Sequence, residues 1–161
     1  MGALTSAGVA VLVDVRLNPW SRKPGFSKKA LALSLEAAGI SYVHEPSLGN
    51  PRSNRAAFQV GDGAEGRRRL RALLEGGDGR AAIARLVALA RERHVGVLCL
   101  ERDASRCHRQ MVTDLVQATG LANTAIQELK ATALEAETVL TNRLSEAERF
   151  GVELASHVNA G

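Results

Sequence analysis

The run VAVLVDV at residues 9–15 is apolar at every position except Asp14. Seven residues are too few for an ordinary helix, and the near-continuous apolar character describes a strand covered on both faces, the pattern of a parallel sheet. Downstream, Asn18-Pro19 and Pro24-Gly25 punctuate a loop. Ser27 then stands as the N-cap of a helix through Ala38, with Leu31, Leu35 and Ala38 on one face and Gly39 as its stop. ISYVH at 40–44 reads as a second short strand, and 46–63, PSLGNPRSNRAAFQVGDG, as a long loop or lid. Helical periodicity returns at 64–75 and 80–93, and VGVLCLE at 95–101 is a third strand. A helix capped by Ser105 follows, running to about Thr119 and ended by Gly120. Strands alternating with helices predict an α/β fold with a small, mainly parallel sheet flanked by helices.

From Asn123 the character changes. Ile126, Leu129, Ala133, Ala136 and Leu140 recur every three or four residues, which predicts a long C-terminal amphipathic helix. The expected organisation is therefore an α/β domain over 1–120 and a helical extension over 121–161, the extension offering a face for packing on the domain or for a homo-oligomer.

The 161 residues are 45% hydrophobic but only 3% aromatic, so the core must be aliphatic. No apolar run approaches the roughly 18 residues of a membrane span, which predicts a protein with no membrane partner. Two cysteines do not make a disulfide framework, and the expected compartment is a reducing cytoplasm. Charge is uneven: residues 1–120 hold 18 Lys/Arg against 11 Asp/Glu, a net of +7, and residues 121–161 hold 3 against 6, a net of −3. Only four basic residues are lysines, and arginine suits phosphate and carboxylate recognition. RRRLR at 67–71 reads as a solvated helix face in preference to a nucleic-acid patch, because Arg67 and Arg71 share one face while Leu70, Leu73 and Leu74 take another.

Right-handed crossovers would align the carboxyl ends of all strands along one edge, where open α/β sheets bind ligands. The residues at or just after those ends are Asp14 and Arg16, His44 and Glu45, and Glu101 and Arg102. A carboxylate inside an apolar strand needs a partner, and Arg16 or Arg22 could supply it. Cys107, with Arg106, His108 and Arg109, sits where a helix start lowers a thiol pKa and where amide groups bind anions. There is no Cys-x5-Arg phosphatase loop, no glycine-rich phosphate loop and no G-x-S-x-G. Cys-x7-Cys-His is not a usual zinc spacing, so no metal site is expected, and the cofactor stays open.

VLVDVR…P-W-SR…F at 11–26, GI-x-Y-x-H at 39–44, LG at 48–49 and LCLERD…CHR at 98–109 resemble the DUF488 family over about residues 7–120. The resemblance implies a small α/β domain in which Asp14, Arg16, Pro19, Ser21, Arg22, Phe26, Leu48-Gly49, Glu101 and Cys107-His108-Arg109 are the family-typical positions. It implies no reaction. Members usually carry a strand and turn like I-Y-T-I-G-H-S, then a helix, before the Val-Asp-Val-Arg strand. Here Met1 lies a few residues before that strand, so the family's first strand is expected to be missing and a sheet edge exposed.

Together these residues predict a pocket for a phosphate-bearing substrate, a nucleotide or nucleic acid. Arg16, Ser21, Arg22, His44 and Arg109 would bind it, Asp14 and Glu101 would be an acid–base pair, and Cys107 and His108 would complete the site. Two other readings are a non-catalytic nucleic-acid-binding module, which the scarcity of stacking aromatics disfavours, and sulfur-transfer or redox chemistry at Cys107.

Overall fold

A computed structural model describes residues 1–59, 63–101, 107–120 and 129. The strand read from VAVLVDV is β1, Val11–Asp14, and it is central. It pairs in parallel with β2, Ser41–His44, on one side and β3, Val95–Leu98, on the other. The registers align Asp14 with both His44 and Leu98, so all three strands end at one level. Every β1 residue is buried, whereas β2 and β3 are partly exposed, because only β1 has a strand on each side.

Alternation along β1 sends its side chains to two separate cores. Val11, Val13 and Val15 face the larger one, built with Leu70, Leu74, Ile83, Leu86 and Val112. Leu12 faces a smaller one with Leu31, Leu35 and Ile40. The smaller core lies under α2, Lys28–Glu36, and the larger under α4, Ala64–Glu75, α5, Gly77–Glu92, and α6, His108–Ala118. Ser27 precedes α2 in extended conformation but makes no side-chain cap hydrogen bond. Gly39 reverses the chain after α2 at φ 72°, a left-handed conformation that glycine adopts without steric cost. A short helix α1, Gly2–Ser6, was not foreseen; its Leu4 packs with Val9 and Leu12 over Gly96.

The segment expected to be a loop at 46–63 is largely helical. It forms a 3-10 turn, Pro46–Leu48, and α3, Arg52–Gln59. Packing overrides the loop-like composition here. Asn54 is buried and donates to Asn50 Oδ1 and to the Gly66 carbonyl, both at 2.9 Å. Gly66 lets α4 approach so closely that a Cβ there would lie 2.5 Å from the Phe58 backbone. RRRLR lies on α4 as a solvated face: Arg68 and Arg69 pair with Glu65, and Arg71 with Glu75, all exposed.

The α/β class with a small parallel sheet flanked by helices is what the alternation of elements predicted. Among the described residues no helix is long and apolar enough to cross a membrane. The expected C-terminal amphipathic helix falls on 121–161, outside the described residues apart from Leu129.

Candidate functional site at the carboxyl edge of the sheet

From β1 the chain passes through α2 to β2 on one side, then returns through α5 to β3 on the other. Helix α2, which follows β1, and helix α6, which follows β3, lie on opposite faces, so the carboxyl ends of β1 and β3 flank the point where open α/β sheets place their ligands. Two polar networks occupy this edge, and they lie on opposite faces of the sheet.

The first network is on the α2 face. Asp14, fully buried, accepts from Arg16 Nε at 2.8 Å, Arg16 Nη2 at 2.6 Å, the Arg16 amide at 3.1 Å and the Tyr42 hydroxyl at 2.7 Å. Burial alone would raise the Asp14 carboxyl, but these donors outweigh it and hold it below the usual carboxylate range. The same contact raises Arg16, and burial together with the Asp14 bond pushes the Tyr42 hydroxyl up. Arg16 Nη1 donates to the Phe26 carbonyl at 2.9 Å, which ties the far end of the β1–α2 loop to the sheet. His44 Nε2 lies 2.9 Å from the Arg16 carbonyl and Nδ1 lies 3.2 Å from Lys28 Nζ. A carbonyl only accepts and an ammonium only donates, so the imidazole is the Nε2–H tautomer.

The second network is on the face under α6. Cys99 Sγ lies 2.6 Å from Glu101 Oε2 and 3.3 Å from His108 Nδ1, and Cys107 Sγ lies 3.4 Å from the same Glu101 oxygen. Cys107, rather than Ser105, caps the helix: its sulfur accepts from the Arg109 amide at 3.4 Å. Ser105 itself, with Arg106, lies outside the described residues. His108 Nε2 faces the Val15 carbonyl at 3.3 Å, and Arg109 Nη1 donates to the Glu101 carbonyl. A bond from Cys99, joined by His108 and the Arg109 amide, outweighs burial and brings the Cys107 thiol down to about 6. Cys99, bonded to Cys107 and buried, is pushed up. Burial would raise Glu101, yet the thiol donors lower it.

Several sequence expectations change in this geometry. Asp14 and Glu101 do not meet as an acid–base pair, because the odd and even positions of β1 serve different faces; among the described residues no hydrogen bond or ion pair joins them. Arg16 spends all three guanidinium nitrogens inside the protein, so it holds Asp14 and the loop. Ser21 accepts from the Lys23 amide at 3.1 Å, a local turn bond, and Arg22 is exposed with its guanidinium 5.8 Å from the Trp20 ring centroid. Cys107 is fully buried, an unfavourable position for a nucleophile. The cysteine spacing argued against a metal centre, yet the ligand atoms of Cys99, Glu101, Cys107 and His108 all lie within 4.8 Å of one another. Sequence reasoning missed Tyr42, whose hydroxyl completes the Asp14 network; its even position on β2, two before His44, is the signal that could have found it. It also missed Arg85, which grips Glu45 through two 2.8 Å bonds and ties the end of β2 to α5.

A family model described as Domain of unknown function DUF488 matches residues 1–116. A second, Domain of unknown function (DUF6468), matches residues 104–161. No curated protein and no solved structure matches the chain.

Proposed function

The chain belongs to the DUF488 family, whose function is unknown, and from its site we propose that it binds a phosphate-bearing substrate at the carboxyl edge of the sheet, through the loop between β1 and α2. One observation carries this reading. Residues 17–29, the loop after β1 and the first turn of α2, contain Arg22, Lys23, Lys28 and Lys29 and no acidic residue, and they follow the carboxyl end of the central strand. Arg22, Lys23, Lys28 and Lys29 are exposed; among the described residues, Arg22, Lys23 and Lys28 make their contacts with the rings of Trp20 and Phe26 and with the His44 imidazole, none of them an acidic group. The Asp14–Arg16 pair supports the loop from beneath through the Phe26 carbonyl, which makes those two residues positioning residues.

Trp20 is the only tryptophan, is exposed, and sits in this loop beside Arg22, so its fluorescence reports binding directly. Titration with a nucleoside triphosphate, inorganic phosphate and a single-stranded oligonucleotide should give a saturable change with at least one of them. Replacing Arg22 and Lys23 together by Ala should weaken binding about tenfold or more, the effect of losing a charge-assisted contact. An unchanged affinity in that variant, or no response to any of the three, overturns the reading. A response to the oligonucleotide alone, falling steeply with salt, would instead mark a nucleic-acid-binding module.

A further inference from the structure

We propose that Cys99, Glu101, Cys107 and His108 form a four-ligand site for a thiophilic divalent cation of the zinc class. The inference is independent of the anion-binding loop, which lies on the other side of β1. Tetrahedral zinc with bonds of 2.0–2.3 Å holds its ligands about 3.3–3.8 Å apart. Cys99 Sγ to His108 Nδ1 is 3.3 Å, Cys107 Sγ to Glu101 Oε2 is 3.4 Å, and His108 Nδ1 to Glu101 Oε2 is 4.0 Å. The shorter Cys99–Glu101 separation of 2.6 Å is a hydrogen bond, and the proton in it is the one a metal displaces.

The surroundings of the ligands argue more strongly than the distances. A metal-binding histidine usually donates its other ring N–H to a carbonyl or carboxylate, which fixes the tautomer and aims the lone pair. His108 does this: Nε2 faces the Val15 carbonyl, so it carries the proton, and Nδ1, 3.3 Å from Cys99 Sγ and 4.0 Å from Glu101 Oε2, is left as the unprotonated nitrogen. The Arg109 amide donates to the Cys107 sulfur, as amides do to bound thiolates, and the Arg109 side chain fixes the Glu101 carbonyl. Cys99, Cys107 and His108 are buried, while the Glu101 side chain is 39% exposed and gives the ion a way in.

The alternative, a carboxylate left among two thiols, is a poor arrangement because S–H groups are weak donors. Two thiolates, a carboxylate, a neutral imidazole and a divalent ion sum to −1 beside the Arg109 guanidinium. Loading releases up to two thiol protons to solvent and needs no oxidant or reductant. The spacing of the cysteines is unlike a zinc finger because one pair of ligands comes from the end of β3 and the other from the start of α6, and the fold brings them together.

The test uses the full chain, reduced, stripped with a chelator and titrated with zinc against a chromophoric competitor, then with cobalt(II) for its spectrum. The expected result is one ion per chain, visible ligand-field bands of a tetrahedral centre, and thiolate-to-cobalt charge transfer that falls to about half in Cys99→Ser, where Cys107 is the remaining thiolate. Zinc should also slow alkylation of both cysteines. Because serine variants of buried cysteines can fail to fold, Glu101→Gln at a half-exposed position is the second variant, expected to fold by circular dichroism and to weaken zinc about tenfold or more. Stoichiometric binding with an octahedral spectrum, no binding by the folded wild type, or unaltered affinity in Glu101→Gln overturns the proposal. Arg22→Ala should leave zinc binding unchanged, which separates this result from the fate of the anion-binding loop.

Discussion

His108 donates through Nε2 to the carbonyl of Val15, 93 residues away in sequence and 3.3 Å away in space. The next carbonyl along, that of Arg16, accepts from His44 on the opposite face of the sheet. The end of β1 thus has its two free carbonyls satisfied by two imidazoles, one from each side. His108→Phe keeps the ring volume and removes the donor, leaving a buried carbonyl unpaired. Urea unfolding of metal-free protein should show a loss of about 1–3 kcal/mol. A loss under about 0.5 kcal/mol would mean that the bond contributes little to the fold.

Asp14→Asn leaves the Arg16 guanidinium, only 4% exposed, without its counter-charge. Breaking a buried pair on one side costs about 3–5 kcal/mol, whereas replacing both members by apolar groups is often near neutral. Asp14→Asn alone should therefore be strongly destabilised. Asp14→Leu with Arg16→Met should unfold at a urea concentration closer to wild type than the single variant does. If the double variant is the worse of the two, the pair is not coupled as described.

The same network sets both pH limits of stability. Asp14 is lowered in the folded state from 3.8, so its contribution is complete above that value and is lost as pH falls below it. Tyr42 is raised from 10.0 in the folded state, so its contribution is complete below that value and is lost as pH climbs above it. Unfolding midpoints measured across pH should fall at both ends. Tyr42→Phe should flatten the alkaline limb without removing the acid one, and an unaltered alkaline limb would count against the Tyr42–Asp14 bond.

Strand β1, the α4 helix and the polar edge of the sheet were legible because each depends on local pattern: an apolar run, a helical repeat closed by Gly76-Gly77, and charged residues at strand ends. Helix α3 was not, because RSNRAAFQ is polar and its helical state rests on Asn54 and Phe58 meeting Gly66 in the next helix. The division of the site into two networks was half legible. Period-two alternation already separates Asp14 from Val15, but which partner joins each face depends on strand register and on where α6 lands. The metal-ligand cluster depended on the same tertiary fact, since nothing in the spacing of Cys99 and Cys107 shows that a strand end and a helix start are neighbours.

The alternation of Val13, Asp14, Val15 and Arg16 across the two faces also bears on how the chain finds its native pairing. A one-residue slip of β1 would turn Asp14 into the aliphatic layer of Leu70, Leu74 and Val112, and would take Val15 out of it. That layer is aliphatic, so the mispaired sheet would carry a poorly compensated charge in its interior. The single acid in VAVLVDV therefore acts as a proofreader of folding: it does little to choose the architecture, but it makes the wrong alignment of a strand that is otherwise uniformly greasy too costly to persist.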